Sequence, residues 1–274
     1  MNNIEEIVHA FRVNTHSELE AVFHLQPTVP RTRAPARGIG FVQFKGIFDV
    51  LERSASHGIF VKTPKQEIID FLYDKSVRGR YHCNGTTPAK YVQKTPLSRV
   101  ALMSTQRPGI LVNMNLKEEL PITKKNWPAT SPLMVRFQTV WSYTYKNLFM
   151  FDLKKTVTGK TKVDACKQAP HYEVEIELMR TKDILDRNND TVIAASMMEK
   201  IIDLMGRYDT TTGEKVDVTL FPVPRLGHKY YTEGGCTGTA KDVKAGKKTQ
   251  EKKNHAKHHP QKEKKKHAKQ QPQK

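Results

Sequence analysis

Apolar and polar positions alternate strictly over Tyr172–Leu178: Tyr172, Val174, Ile176 and Leu178 fall on one face of a β-strand, and Glu173, Glu175 and Glu177 on the other. The same pattern runs through Ser17–Phe23, with Glu18 and Glu20 opposed to Leu19, Ala21 and Phe23. Side chains two apart on a strand stand roughly 6.5–7 Å from each other. Three carboxylates in a row therefore repel one another unless a cation neutralises them or the face lies open to water. A strand with one apolar and one charged face is ordinarily a solvated sheet surface, and either stretch alone reads that way. Glutamate is uncommon in strands, however, so two such stretches together ask for a further reason. A hard divalent cation with oxygen ligands would need such a pair, were the fold to bring them together.

Elsewhere the periodicity predicts a short helix over residues 4–12, a basic, proline-containing loop from Pro27 to Gly40, and a helix over 44–56 with Phe44, Ile47, Phe48 and Leu51 as its stripe. Thr63, Pro64 and Gln66 form a helix-start signature, which predicts a second helix carrying Ile68, Ile69, Phe71 and Leu72. From residue 76 the period changes. Segments 76–82 and 90–94 flank Asn84-Gly85 and read as a hairpin. Arg78 and Arg80 share one of its faces, as do Lys90 and Lys94, and for the arginine pair a solvated face and a phosphate-binding face both remain open. Further strands are expected over 110–116, 134–145 and 148–157. The second of these aligns Arg136, Gln138, Val140 and Ser142, the third aligns Met150, Asp152 and Lys154, and Asn147 falls in the turn between them. A helix over 191–205, capped by Asp190, buries Ile193, Met197, Ile201 and Leu204, and 216–221 reads as a last strand.

Charge divides the 274-residue chain unevenly: +10 of its net +18 lies in residues 241–274. From Gly234 onward Lys, His, Gln, Ala and Pro dominate, so the expected organisation is a domain over 1–233 and a disordered basic tail over 234–274. Such a tail attracts polyanions without reading their sequence. Its histidines, His255, His258, His259 and His267, fit a solvated basic segment better than a metal site. Cys83, Cys166 and Cys236 are scattered, which argues against a zinc site or disulfide framework and for reduced, structural thiols. No apolar run has the length of a membrane span and the first residues lack a signal-peptide core, so an intracellular protein without membrane contact is expected.

Seven or eight short antiparallel strands with a few helices indicate an α+β fold. On these strands the polar residues gather on one side and the apolar ones on the other. A closed antiparallel eight-stranded β-barrel with a polar interior, flanked by helices on its apolar exterior, satisfies all of them at once.

An E-x-E first strand, a late E-x-E-x-E strand and basic strands between them resemble the triphosphate tunnel metalloenzymes, specifically the RNA 5′-triphosphatases of fungi, protists and large DNA viruses. Tyr172–Leu178 is similar to that family's metal-binding strand. Phe149–Lys154 resembles its aromatic-Arg-Ile-Asp-Leu-Thr strand, Glu119-Leu120-Pro121 its Glu-x-Pro, and Lys94 with Leu97 its Lys-x-x-Leu. The resemblance spans roughly residues 10–205 and implies Mn²⁺ or Mg²⁺ held by Glu18, Glu20, Glu175 and Glu177, with Glu173 in support. It implies a triphosphate bound by Arg78, Arg80 and Lys94, and catalytic roles for Glu173, Glu175, Arg136, Asp152 and Lys154. Met150, Lys154, Asn113, Gln138 and Val140 depart from the family pattern, with Arg136 and Lys154 as compensating cations. Position 22 is valine, which disfavours the E-x-E-x-K branch.

The implied reaction is removal of the γ-phosphate of 5′-triphosphate RNA, the first step of mRNA capping, with nucleoside triphosphates as a further substrate. The implied partners are that RNA and a guanylyltransferase or other capping subunit, and a DNA virus is the expected source. An inorganic triphosphatase and a catalytically reduced, basic RNA-binding protein are the alternatives. Cleaving a terminal phosphoryl group is mainly a matter of positioning and of cations on the transferring oxygens, which lysines, arginines and a carboxylate-held metal ion supply.

Overall fold

The computed structural model describes residues 2–25, 38–83, 89–104, 109–206 and 219–222. The expected loop up to residue 37, the Asn84-Gly85 turn and the basic tail lie outside the described residues. In chain order the elements are α1 (Asn2–Val13), β1 (Ser17–Leu25), α2 (Phe41–Ser56), β2 (Val61–Lys62), β3 (Gln66–Leu72), β4 (Val77–His82), β5 (Lys90–Ser104) and β6 (Ile110–Pro121). There follow β7 (Met134–Tyr145), β8 (Phe149–Gly159), α3 (Lys162–Cys166), β9 (His171–Leu178), α4 (Lys182–Arg187), α5 (Asp190–Gly206) and β10 (Leu220–Pro222).

All ten strands belong to one sheet. Eight of them close into an antiparallel ring in the order β5-β4-β3-β7-β8-β9-β1-β6, with β6 pairing back onto β5. β2 and β10 attach to β7 and β5 from outside the ring order. Because residues directly opposite in a ladder share a face, the register can be followed around the ring. Glu20 stands opposite Glu177, Asp152 opposite Glu175, Val140 opposite Lys154, Asp70 opposite Arg136 and Arg80, and Glu18 opposite Lys117. The charged face of every ring strand thus turns to one side, the lumen.

The opposite face is the hydrophobic core. Leu19, Ala21 and Phe23 of β1, Val112, Met114 and Leu116 of β6, Phe149, Phe151 and Leu153 of β8, and Val174, Ile176 and Leu178 of β9 are all buried. Ile4, Ile7, Val8 and Phe11 of α1, Phe44, Ile47 and Leu51 of α2, and the stripe from Ile193 to Met205 of α5 join the same core. Each fully buried Leu, Ile or Phe contributes about 1.5–3 kcal/mol relative to exposure. Buried ion pairs roughly break even against their desolvation. The helix-facing layer, not the lumen, therefore holds the ring together.

Four local readings are corrected. Residues 66–72 form β3 rather than a helix. The short run Ile68, Ile69, Phe71 and Leu72 suits either period, and the backbone edges of β4 and β7 on both sides decide for a strand. Thr63 caps no helix; its hydroxyl and its N–H both donate to the Ser142 carbonyl. Asn189, not Asp190, caps α5 by accepting the Val192 N–H at 2.8 Å, while Asp190 takes Arg12 at 2.6 Å and His9 at 2.8 Å. Cys83 and Cys166 are free but exposed, so neither packs a core, and Cys236 lies outside the described residues.

The strand read over 90–94 continues to Ser104, past Pro96, because the register slips between Pro96 and Ser98. That bulge relieves the missing ladder donor of proline. In the β7–β8 turn, Asn147 sits where expected, with Lys146 and Asn147 both at positive φ (51° and 55°). Among the described residues, no helix is long and apolar enough to cross a membrane.

Candidate active site

Three neighbouring strands build an acidic wall. On β1 and β9, Glu20 and Glu177 are directly opposed, and Glu18 and Glu175 flank them on the same face. Side chains so placed lie about 4.5–5.5 Å apart at Cβ, where like charges destabilise the pair. β8 adds Asp152, whose carboxylate accepts the Ser142 hydroxyl at 2.6 Å.

Lysines from adjacent strands reach into this wall. Lys94 Nζ lies 2.6 Å from Glu18 Oε2 and also contacts Glu119. Lys117 pairs with Glu20, and Lys154 pairs with Glu175 while lying 3.6 Å from Asp152. Glu173, which is 9% exposed, meets His171 at 2.7 Å. Glu177 differs from the other four glutamates: among the described residues it takes part in no ion pair or hydrogen bond, and Lys154 acts on it only at longer range.

The facing wall is basic. Asp70, fully buried, accepts two hydrogen bonds from Arg80, at 2.8 and 3.1 Å, and one from Arg136 at 2.7 Å. Arg78 reaches Glu119 at 3.3 Å. The buried Nε atoms of Arg78 and Arg136, the Asn113 Oδ1 and the Gln138 Oε1 have no partner among the described residues. Unused guanidinium donors beside an enclosed polar space leave capacity for an anion or water. At one end, a cavity of about 260 Å³ opens beside His16, Glu18, Glu119, Glu177 and Arg180.

These contacts set the charge states. Burial opposes ionisation of Glu18, but Lys94 overcomes it and holds the carboxyl well below the usual range. Burial likewise opposes ionisation of Glu173, which His171, Arg136 and Lys154 bring down to about 2. Burial and the Glu175 carboxylate push Glu20 up, against the pull of Lys117. For Glu177, burial and the carboxylates of Glu18, Asp152 and Glu175 prevail over Lys154, raising it to about 8. Burial disfavours the Lys154 ammonium, yet Glu175 and Asp152 hold it charged. Lysines pair with Glu18, Glu20 and Glu175, whereas Glu177, buried among carboxylates, is held protonated well above the ordinary carboxyl range.

No family model and no curated protein matches this chain. Solved structures do match. The RNA triphosphatase Pct1 of S. pombe aligns over 74% of this chain and 89% of its own, at 15% identity and TM-score 0.59. The same enzyme in complex with the Spt5 CTD aligns over 74% and 90%, at 15% identity and TM-score 0.57. The RNA triphosphatase domain of the trifunctional mimivirus mRNA capping enzyme aligns over 76% and 95%, at 14% identity and TM-score 0.52. This is the triphosphate tunnel fold.

The tunnel gathers the charged residues that the resemblance assigns to the site: Glu18, Glu20, Arg78, Arg80, Lys94, Arg136, Asp152, Lys154, Glu173, Glu175 and Glu177 all lie on the lumen face. It does not place them in one contact group. Arg80 and Arg136 meet at Asp70, whereas Lys154 belongs to the Glu175 side.

As a site for a hard divalent ion, the acidic wall fits in donor chemistry. All its donors are carboxylates, and Glu177 is in no ion pair among the described residues. The side chains are not drawn to one point. Among the described residues no three His, Cys, Asp or Glu are grouped so as to hold a metal, and lysines occupy Glu18, Glu20 and Glu175.

Asp70, Asn115, Lys117 and His171 are lumen residues that the sequence reading did not single out. Asp70 was lost with the mistaken helix. Lys117 lay beyond the expected strand, which stopped at residue 116, while Asn115 lay inside it on the face of Asn113 and was not singled out.

Proposed function

We propose that this chain is an RNA 5′-triphosphatase, a metal-dependent phosphohydrolase that removes the γ-phosphate of 5′-triphosphate RNA as the first step of mRNA capping. One observation carries the reading: Glu20 and Glu177, far apart in sequence, face each other inside a closed ring whose other wall carries the arginines Arg80 and Arg136. The likeness to tunnel folds of RNA triphosphatases supports it.

On this reading Glu18, Glu20, Glu175 and Glu177 hold Mn²⁺ or Mg²⁺, and that ion supplies Lewis-acid stabilisation of charge on the transferring oxygens. Arg78, Arg80 and Lys94 bind the triphosphate, Arg80 held by Asp70 through Nε and Nη and Arg78 by Glu119 through Nη. Arg136 and Lys154 offset charge where Val140 and Met150 stand in the tunnel wall. Glu173, ionised and backed by His171, orients or deprotonates the attacking water, with Glu175 and Asp152 beside it.

Two further parts belong to the proposal. The basic tail over 234–274 adds affinity for RNA, and a guanylyltransferase or other capping subunit is the partner. The neighbours motivate the latter, one having been solved with the Spt5 CTD and the other being part of a trifunctional capping enzyme. A second reading, a tunnel that binds triphosphate without cleaving it, is favoured by the lysines that occupy three of the four candidate metal ligands.

Phosphate release from γ-labelled 5′-triphosphate RNA and from tripolyphosphate, each with and without Mn²⁺, separates these. Metal-dependent release from RNA is the expected result. Release from tripolyphosphate alone would assign an inorganic triphosphatase, and no release from either would leave the binding protein.

A further inference from the structure

The lumen contains a competition that the proposed reaction does not require. Lys117, on β6, pairs with Glu20, and Lys154, on β8, pairs with Glu175. The side chains are enclosed: Lys117 is 28% exposed and Glu20 7%, Lys154 14% and Glu175 15%. Each ammonium occupies a carboxylate that a divalent ion would need, so the ion must displace it.

A displaced ammonium cannot leave, because its stem is anchored on a lumen-facing ladder position opposite Glu18 in one case and opposite Val140 and Glu173 in the other. Left unpaired in an enclosed site it would be strongly unfavourable. The guanidiniums of Arg80 and Arg136 are committed to Asp70 and contribute no acceptor. Of the carboxylates beside them, Glu18 is itself a proposed ligand of the ion and Glu173 is already paired with His171, which leaves Asp152, 3.6 Å from Lys154, and an anion entering the tunnel as acceptors.

We infer that Lys117 and Lys154 act as exchangeable internal cations: they hold Glu20 and Glu175 in the empty tunnel and move onto phosphate oxygens when a divalent ion takes those carboxylates. Metal and triphosphate then bind with positive coupling, each improving the site for the other, and by linkage the effect is reciprocal. This inference rests on the metal-ion part of the reading above, but it concerns binding and not turnover.

The test is a Mn²⁺ titration of the full chain followed by electron paramagnetic resonance, with sulfate as the phosphate stand-in because it chelates Mn²⁺ weakly. Wild type, Lys117→Met, Lys154→Met and the charge-conserving Lys117→Arg are compared, with circular dichroism confirming the fold of each. Removing the competing ammonium should tighten Mn²⁺ binding without sulfate by roughly tenfold in either Met variant. Lys117→Arg should stay near wild type. Sulfate should tighten Mn²⁺ binding to wild type and have less effect on the Met variants.

Unchanged or weaker Mn²⁺ binding in both Met variants, or an equal sulfate effect in all four proteins, overturns the inference. If one Met variant fails to fold, the other decides. Tighter Mn²⁺ binding in the variants together with no phosphate release by wild type would keep the inference and discard the assigned reaction. RNA triphosphatase activity with no change in Mn²⁺ affinity would do the reverse.

Discussion

Asp70 is the point at which the basic wall is most open to attack. Its carboxylate is fully buried, with three hydrogen bonds from Arg80 and Arg136, so Asp70→Asn keeps the shape and removes the charge that holds two guanidiniums together. Removing one partner of a buried ion pair typically costs about 3–5 kcal/mol, because the other charge is left uncompensated. Arg80 and Arg136 are 27% and 20% exposed, so water screens them in part and the lower end, about 3 kcal/mol, is expected. For a domain of this size that corresponds to a fall in Tm of about 6–12 °C.

The pH dependence supplies a second measurement. Burial resists ionisation of Asp70, but the two arginines prevail and depress its folded-state pKa below the ordinary value of 3.8. A depressed carboxylate stabilises the fold above its unfolded pKa, and that contribution is lost as pH falls through the folded value. The difference between wild type and Asp70→Asn, read by thermal unfolding with circular dichroism, should therefore be full at neutral pH and shrink below about pH 4. A loss under about 1 kcal/mol at neutral pH, or a difference that does not change down to about pH 2, would refute the account of Asp70 as the anchor of the arginines.

Glu18→Ala, Glu20→Ala and Glu177→Ala should each lower γ-phosphate release by at least the order of 10²-fold while the far-ultraviolet spectrum stays native; normal turnover in all three ends the metal assignment. Gly79→Ala should destabilise the ring by about 1–3 kcal/mol, since a β-carbon there would stand 2.6 Å from the Tyr91 ring, and an unchanged urea midpoint would show that the ring can move aside. Deleting residues 241–274 should weaken RNA binding in a salt-dependent manner and spare hydrolysis of free nucleotide. Equal losses of both would place the tail in the active site.

Much of the tunnel was legible in alternation alone. A strand sends successive side chains to opposite faces, so Glu18 with Glu20, Glu173 to Glu177, Arg78 with Arg80, and Asp152 with Lys154 announced a charged face wherever the strand was recognised. The stripes of α2 and α5 were equally plain, because three-to-four spacing of large apolar residues has few other uses. What alternation leaves open is which strand lies beside which, and on that the site depends. Glu20 meets Glu177 because β1 pairs with β9, and Lys117 reaches Glu20 because β6 lies on the other side of β1. Those contacts span about a hundred residues or more, far beyond any local pattern.

Residues 66–72 show the same division within one element. Their side chains suit a helix or a strand, and the Thr63-Pro64-Gln66 signature favours the helix. The strand prevails because β4 and β7 offer hydrogen-bonding edges on both sides, a gain that exists only once the ring has assembled. Side-chain chemistry and local period were thus determined by the sequence itself. Pairing order, register and the identity of each charge's partner were decided by closure of the ring, because backbone hydrogen bonds between strands carry no mark of themselves in the residues that make them.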